Sequence, residues 1–124
     1  MTTDHRGTVA VIGASNVRQK YGNRAVRAYL RQGWTVYPVN PNETIIEGLS
    51  VYRSIADVPG AVDRVSLYVP ASVGVTLLDA IKAKGTKELW VNPGAESDEL
   101  IARAETLGLN PIQACSIVDI GERP

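Results

Sequence analysis

The stretch VIGASNVRQKYGNRAVRAYL, residues 11–30, brings together residue types suited to holding a phosphate. Gly13, Ala14 and Ser15 form a small-residue turn after an apolar run, and the helical spacing that follows places a helix N-terminus beside it. Free backbone N–H groups, the helix dipole and a serine hydroxyl at such a point attract anions. Arg18, Lys20 and Arg24 crowd the same turn and helix start. A cation there works against the helix dipole, so a negatively charged ligand is expected to compensate it. The spacing departs from two familiar loops. A dinucleotide loop needs G-x-G-x-x-G, but Gly13 is followed by Ala14 and Ser15 and the next glycine is Gly22. A Walker loop needs G-x-x-x-x-G-K-[ST], and position 18 holds arginine instead of glycine.

Other reactive side chains are sparse. The sole histidine is His5, and no Ser-His-Asp, Cys-His or paired-carboxylate constellation can be assembled, so the chain reads as non-enzymatic. With one cysteine, Cys115, an internal disulfide and a cysteine-cluster metal site are both excluded, and no metal site is expected. Cys115 itself reads either as a buried core thiol or as a thiol able to meet a ligand thiol. Asp119 reads as a solvated residue. Trp34 and Trp90 read as core or sheet-face residues, and no aromatic ladder suggests nucleic-acid stacking. Tyr21 is placed to cover the phosphate turn.

The 124 residues suit a single domain over 1–124, with a mobile N-terminus expected over 1–6. With 44% hydrophobic and 21% charged residues the composition is that of a globular protein. No apolar run approaches the ~20 residues that span a bilayer, and MTTDHRGT lacks an apolar signal segment. A cytoplasmic protein with neither a membrane nor a nucleic-acid partner is expected. The formal net charge of zero hides an asymmetry: residues 1–40 hold six basic side chains against Asp4 alone, a local +5 that the rest of the chain offsets. That imbalance points to an anionic partner near the first third.

The elements that must position these groups follow from periodicity. TVAVIG (8–13), WTVYPVN (34–40), RVSLYVP (64–70), KELWVNPG (87–94) and NPIQACSI (110–117) read as strands. Ala25, Val26, Tyr29 and Leu30 form a helical stripe stopped by Gly33. Val73, Leu77, Leu78 and Ile81 form a second, closed by Gly85, and Leu100, Ile101, Ala104 and Leu107 a third, closed by Gly108. Residues 42–62 read as irregular, with at most a short strand and a helical turn. Strands alternating with amphipathic helices predict a doubly wound, mainly parallel five-stranded α/β sheet with helices on both faces and the order 3-2-1-4-5.

In such sheets ligands sit beyond the carboxyl ends of the strands, where strand order reverses. The loops reaching that edge are GASNVRQKYG (13–22), NPN (40–42), VPAS (69–72) and NPGAES (92–97), each containing Gly or Pro and a polar side chain. NAD-binding folds place an acid at the end of the second strand to grip ribose hydroxyls. Here that strand ends Val39-Asn40-Pro41-Asn42, with the first acid at Glu43. An NAD(P)-binding, redox-sensing domain remains the alternative, with both of its motifs missing.

VIGAS (11–15), KYGN (20–23), PVNPN (38–42), IEGLSVYRSIADVP (46–59), YVPASVG (68–74) and LWVNPGAES (89–97) together resemble the stand-alone CoA-binding proteins of bacteria and archaea. These are Rossmann-like domains similar to the N-terminal domain of the succinyl-CoA synthetase α subunit, and the resemblance runs from about residue 7 to 119. It implies coenzyme A, or an acyl-CoA, as the small-molecule ligand. By the same resemblance Gly13, Ala14 and Ser15, with Arg18 and Lys20, hold its phosphates, and Val39, Asn40 and Pro41 lie by the adenosine. Val69 and Pro70 line the middle of the ligand, while Asn92, Pro93 and Gly94 approach the pantetheine arm. The synthetase also carries a phosphorylated histidine in a second domain and a nucleotide-binding partner subunit, neither of which is legible here. The resemblance therefore implies a carrier, sensor or accessory module, or the CoA-binding subunit of a split acyl-CoA synthetase.

Overall fold

A computed structural model describes residues 7–124; the expected mobile terminus and His5 lie outside the described residues. Strands β1 (Thr8–Ile12), β2 (Thr35–Val39), β5 (Val62–Leu67), β6 (Thr86–Val91) and β7 (Pro111–Ile112) form one parallel sheet. Between β2 and β5 lie a hairpin of β3 (Ile45–Ile46) and β4 (Leu49–Ser50) and a 3-10 turn, Ile55–Asp57. Helices α1 (Tyr21–Arg31), α2 (Ala71–Lys84), α3 (Asp98–Thr106) and the short α4 (Ser116–Asp119) cover the sheet. No helix among the described residues is long and apolar enough to cross a membrane.

Alternation along β1 divides the core in two. Val9 and Val11 face a cluster with Ala25, Val26 and Tyr29 of α1 and Ile117 of α4. Ala10 and Ile12 face the opposite cluster with Leu78 and Ile81 of α2 and Leu100 and Ala104 of α3. Side chains two residues apart share a face of a strand, so one apolar run serves both layers. This is the doubly wound, Rossmann-like α/β arrangement expected.

The lateral order needs one correction. The sheet runs β2-β1-β5-β6-β7, so the strand expected third in the chain lies directly beside β1 and not outside β2. Val65 and Leu67 are fully buried with Ser66 between them, a strand covered on both faces that belongs in the sheet centre. The place outside β2 is taken by a single parallel bridge, Val39 to Tyr52. Right-handed crossovers permit either order, and periodicity along the chain carries no information about lateral neighbours. The crevice accordingly opens between β1 and β5, where order reverses.

The fifth strand is also shorter than its sequence suggests. Pro111, which has no N–H to donate, sits in an edge strand of only two residues, and the Ala114 N–H turns back to the Ile112 carbonyl at 3.2 Å. The chain then enters α4, with Cys115 preceding its first residue.

Across the sheet's α1 face, Arg64 lies between the rings of Trp34 (5.0 Å) and Trp90 (4.7 Å). Its guanidinium bridges Glu88 at 2.9 Å and Asp119 at 2.7 Å. Asp119 is thus a clasp between α4 and β5, not a freely solvated residue.

Candidate functional site

The Gly13 turn is built by close backbone contact. Gly13 has φ of 94°, and a Cβ there would lie 2.7 Å from the Tyr68 carbonyl oxygen. A Cβ on Gly22 would lie 2.0 Å from the Gly13 carbonyl oxygen, so the first turn of α1 rests on the loop with no room for a side chain. The Gly13 N–H donates to the Val39 carbonyl at 3.2 Å, and the Asn40 side-chain amide donates to the Ala14 carbonyl at 2.8 Å. These bonds tie the ends of β1 and β2 together. Within the loop, the Ser15 hydroxyl accepts from the Val17 N–H at 3.0 Å.

A cleft of 480 Å³ opens where these pieces meet. Gly13, Ala14, Ser15, Lys20 and Tyr21 line one wall and Asn40 one end. Val69, Pro70, Pro93 and Gly94 line the other side. Both α1 and α2 begin at this edge, and their first backbone N–H groups have no intrahelical acceptor. Lys20 precedes α1 without a capping side chain, no acid lies in that helix's first turn, and no hydrogen bond or ion pair ties the Lys20 ammonium among the described residues. By contrast, α3 is capped by Ser97, whose hydroxyl accepts from the Leu100 N–H at 3.0 Å, with Asp98 and Glu99 in its first turn. The α1 entrance therefore presents uncompensated positive charge to the cleft.

Four of the sequence-predicted residues lie elsewhere. Arg18 points to a separate groove along the outer side of α1, lined also by Arg24, Arg27, Arg31 and Arg123. There its guanidinium meets the Glu47 carboxylate at 3.4 Å, an exposed pair worth about 0–1 kcal/mol. Val39 is buried, its carbonyl accepting from the Gly13 N–H. Pro41 borders a smaller neighbouring hollow. Asn92 is buried, and its amide is committed to the protein: it donates to Ser66 Oγ and the Leu67 carbonyl and accepts from the Ser116 N–H, each at 2.9 Å.

The hairpin supports the loop from outside. Asn16 donates to the Ile45 carbonyl at 2.9 Å, and Asn23 donates to Glu47 at 3.0 Å and to the Ser15 carbonyl at 2.8 Å. The Asn23 hydrogen bond, aided by Arg18, holds the Glu47 carboxyl below its usual range. Burial pushes the Tyr68 phenol up to about 12 although its hydroxyl shares a hydrogen bond with Ser116 at 3.2 Å. Tyr68 thus lines the cleft as a neutral group.

Gly22, Tyr68 and Ala95 also line the cleft; Gly22 and Ala95 fall in loops expected at this edge, but none of the three was singled out. Gly22 carried a signal, a glycine in the first turn of a helix where propensity disfavours it. Tyr68 and Ala95 carried none. Cys115 is half-buried and packs with the cluster containing Tyr68. Among the described residues no group of three or more His, Cys, Asp or Glu could hold a metal ion.

Comparison with known proteins extends this picture. The chain is 38% identical over 80 residues to the α subunit of acetate–CoA ligase [ADP-forming] II from Pyrococcus furiosus, covering 64% of this chain and 18% of that subunit. The chain thus spans less than a fifth of that relative's length. A conserved hypothetical protein from Pyrococcus furiosus superposes with a TM-score of 0.84 at 38% identity, over 90% of this chain and 97% of that one. A dinucleotide-forming acetyl-coenzyme A synthetase from Ca. Korarchaeum cryptofilum, solved with phosphate and ADP, superposes with a TM-score of 0.75 at 30% identity, over 88% of this chain and 26% of that one. The pattern of one family, described as CoA binding domain, matches residues 7–121, from the start of β1 to beyond α4. With its sheet, Gly13 turn and both flanking layers inside that match, the chain belongs to the CoA binding domain family.

Proposed function

We propose that this domain binds coenzyme A, or an acyl-CoA, in the cleft at the carboxyl edge of β1 and β5, as a carrier, sensor or accessory module without catalysis of its own. The observation that carries this reading is the uncompensated α1 entrance, where Lys20 and unpaired backbone N–H groups face a cleft beside Gly13, Ala14 and Ser15. A pyrophosphate meets that need. Val69, Pro70, Pro93 and Gly94 offer a wall of small and apolar residues for the pantetheine arm. Asn40, which stands where NAD enzymes carry a ribose-binding acid, already uses its amide to hold the loop. Arg18 reaches a ligand phosphate by leaving Glu47, a small cost for an exposed pair.

A thermal-shift titration with CoA, acetyl-CoA, NADH and NADPH tests the reading. Ligand at a hundredfold excess over Kd stabilises by about 2.7 kcal/mol, a rise of several degrees in Tm. CoA or acetyl-CoA is expected to give that rise and the nicotinamide nucleotides little; the double variant R18A/K20A is expected to lose most of it. Equal shifts with NADH, or an unchanged shift in the double variant, would count against it.

The identity to a ligase α subunit favours a second reading, in which this domain serves a split acyl-CoA synthetase and another chain supplies catalysis. Stoichiometric co-purification with such a chain would support it.

A further inference from the structure

The hollow beside the main cleft has chemistry of its own. It measures 300 Å³ and is lined by Pro41, Asn42, Glu43, Thr44, Val51 and Arg53. Its backbone is pinned on both sides. The Tyr52 N–H donates to the Pro38 carbonyl at 2.9 Å, and the Asn40 N–H donates to the Tyr52 carbonyl at 3.0 Å. Arg53 is therefore held one residue past a bridge to the end of β2. Across the hollow, the Val51 N–H donates to the Thr44 carbonyl at 3.0 Å, and the Asn42 N–H donates to Asn40 Oδ1 at 2.7 Å. Asn40, whose side chain accepts that bond, lines the main cleft, and the next residue, Pro41, lines the hollow.

Four of the eight described arginines are held by carboxylates, and Arg53 is not among them. Arg18, Arg31, Arg64 and Arg103 each pair with a carboxylate. Arg53 forms no ion pair among the described residues, although Glu43 lines the same hollow. In doubly wound folds the end of the second strand reads the ribose: a carboxylate accepts from a free hydroxyl, and an arginine takes a ribose phosphate. This hollow offers one of each. That pairing suits a ribose with one free hydroxyl and one phosphomonoester, as CoA carries and as NADP(H) also carries, two ligands that the thermal-shift titration above separates.

We propose that Arg53 is a specificity-determining residue that binds the phosphomonoester on the ligand's ribose, with Glu43 accepting from the neighbouring hydroxyl. The assignment rests on the CoA reading above and adds that the domain selects against the dephosphorylated ligand. A guanidinium gives a phosphate two parallel charge-assisted hydrogen bonds, a geometry that lysine lacks.

Calorimetric titration of wild type, R53A and R53K with CoA and with dephospho-CoA tests it. Wild type is expected to prefer CoA by about tenfold or more, the scale of charge-assisted hydrogen bonds. R53A is expected to bind CoA as weakly as dephospho-CoA while its dephospho-CoA affinity stays unchanged, and R53K to keep part of the preference. Arg53 is exposed, and unchanged circular dichroism checks that its variants fold. CoA binding with no preference in wild type, or R53A weakening both ligands alike or neither, overturns this assignment and leaves the CoA reading standing. Failure of wild type to bind either ligand overturns both.

Discussion

An added methyl group at Gly22 would press into the Gly13 carbonyl oxygen, and neither is a flexible side-chain end that could swing away. G22A must therefore lift α1 from the Gly13 turn. Overpacking of this kind costs about 1–3 kcal/mol, read as a lower urea midpoint, and CoA affinity should fall at least tenfold in the same variant. Normal stability with normal affinity would contradict the close packing. Tyr68 carries a pH signature. Its pKa of about 12 in the folded protein lies above the ordinary 10.0, because burial disfavours the phenolate. The native state then holds the proton more tightly than the unfolded chain, so this contribution is complete below pH 10 and is lost as pH rises towards 12. Urea titrations across that window should show Y68F losing less stability than wild type; equal loss would contradict it. At this scale the sequence was informative where a residue type was anomalous for its place, as with Lys20 at a helix start. It did not show that the amide of Asn92, which the resemblance places by the pantetheine arm, bonds to Ser66, Leu67 and Ser116 in space.

The hairpin of β3 and β4 lies in the stretch that periodicity reads as irregular, since two-residue strands leave no alternation to detect. It nevertheless supports the loop after β1 through Ile45 and Glu47. Glu47 keeps a negative charge beside the proposed phosphate site and holds Arg18 away from the cleft. E47Q retains an acceptor for Asn23 and removes that charge, so CoA binding should tighten by about threefold, the scale of one exposed ion pair. Weaker binding, measured by calorimetry, would mean that Glu47 serves the loop by holding Arg18 where it stands. The longer elements were legible because each carries several turns or alternations of pattern: β1, β2, β5, β6 and the three main helices fall where periodicity puts them. The fifth strand was overread because apolar spacing in PIQACSI fits a strand as well as a turn followed by α4; the Ala114 N–H bond to Ile112 and the Ser116 N–H bond to Asn92 decide between them.

For the whole molecule, strand order was the least legible feature. It depends on which strand can be buried on both faces, and β5 wins the place beside β1 through Val65, Ser66 and Leu67. The charge division of the chain, by contrast, was readable and has a spatial form: Arg18, Arg24, Arg27, Arg31 and Arg123 line one groove along α1, next to the Lys20 end of the cleft. Such a field favours polyanions and weakens as salt screens it. The central claim is that CoA occupies the cleft at the β1–β5 edge. A two-dimensional amide NMR titration of the isotope-labelled domain with CoA tests it most directly, because each backbone N–H reports its own position. The account predicts the largest shifts at Gly13, Ala14, Ser15, Gly22, Gly94 and Ala95. Absence of shifts, or shifts confined to residues away from this cleft, would contradict it.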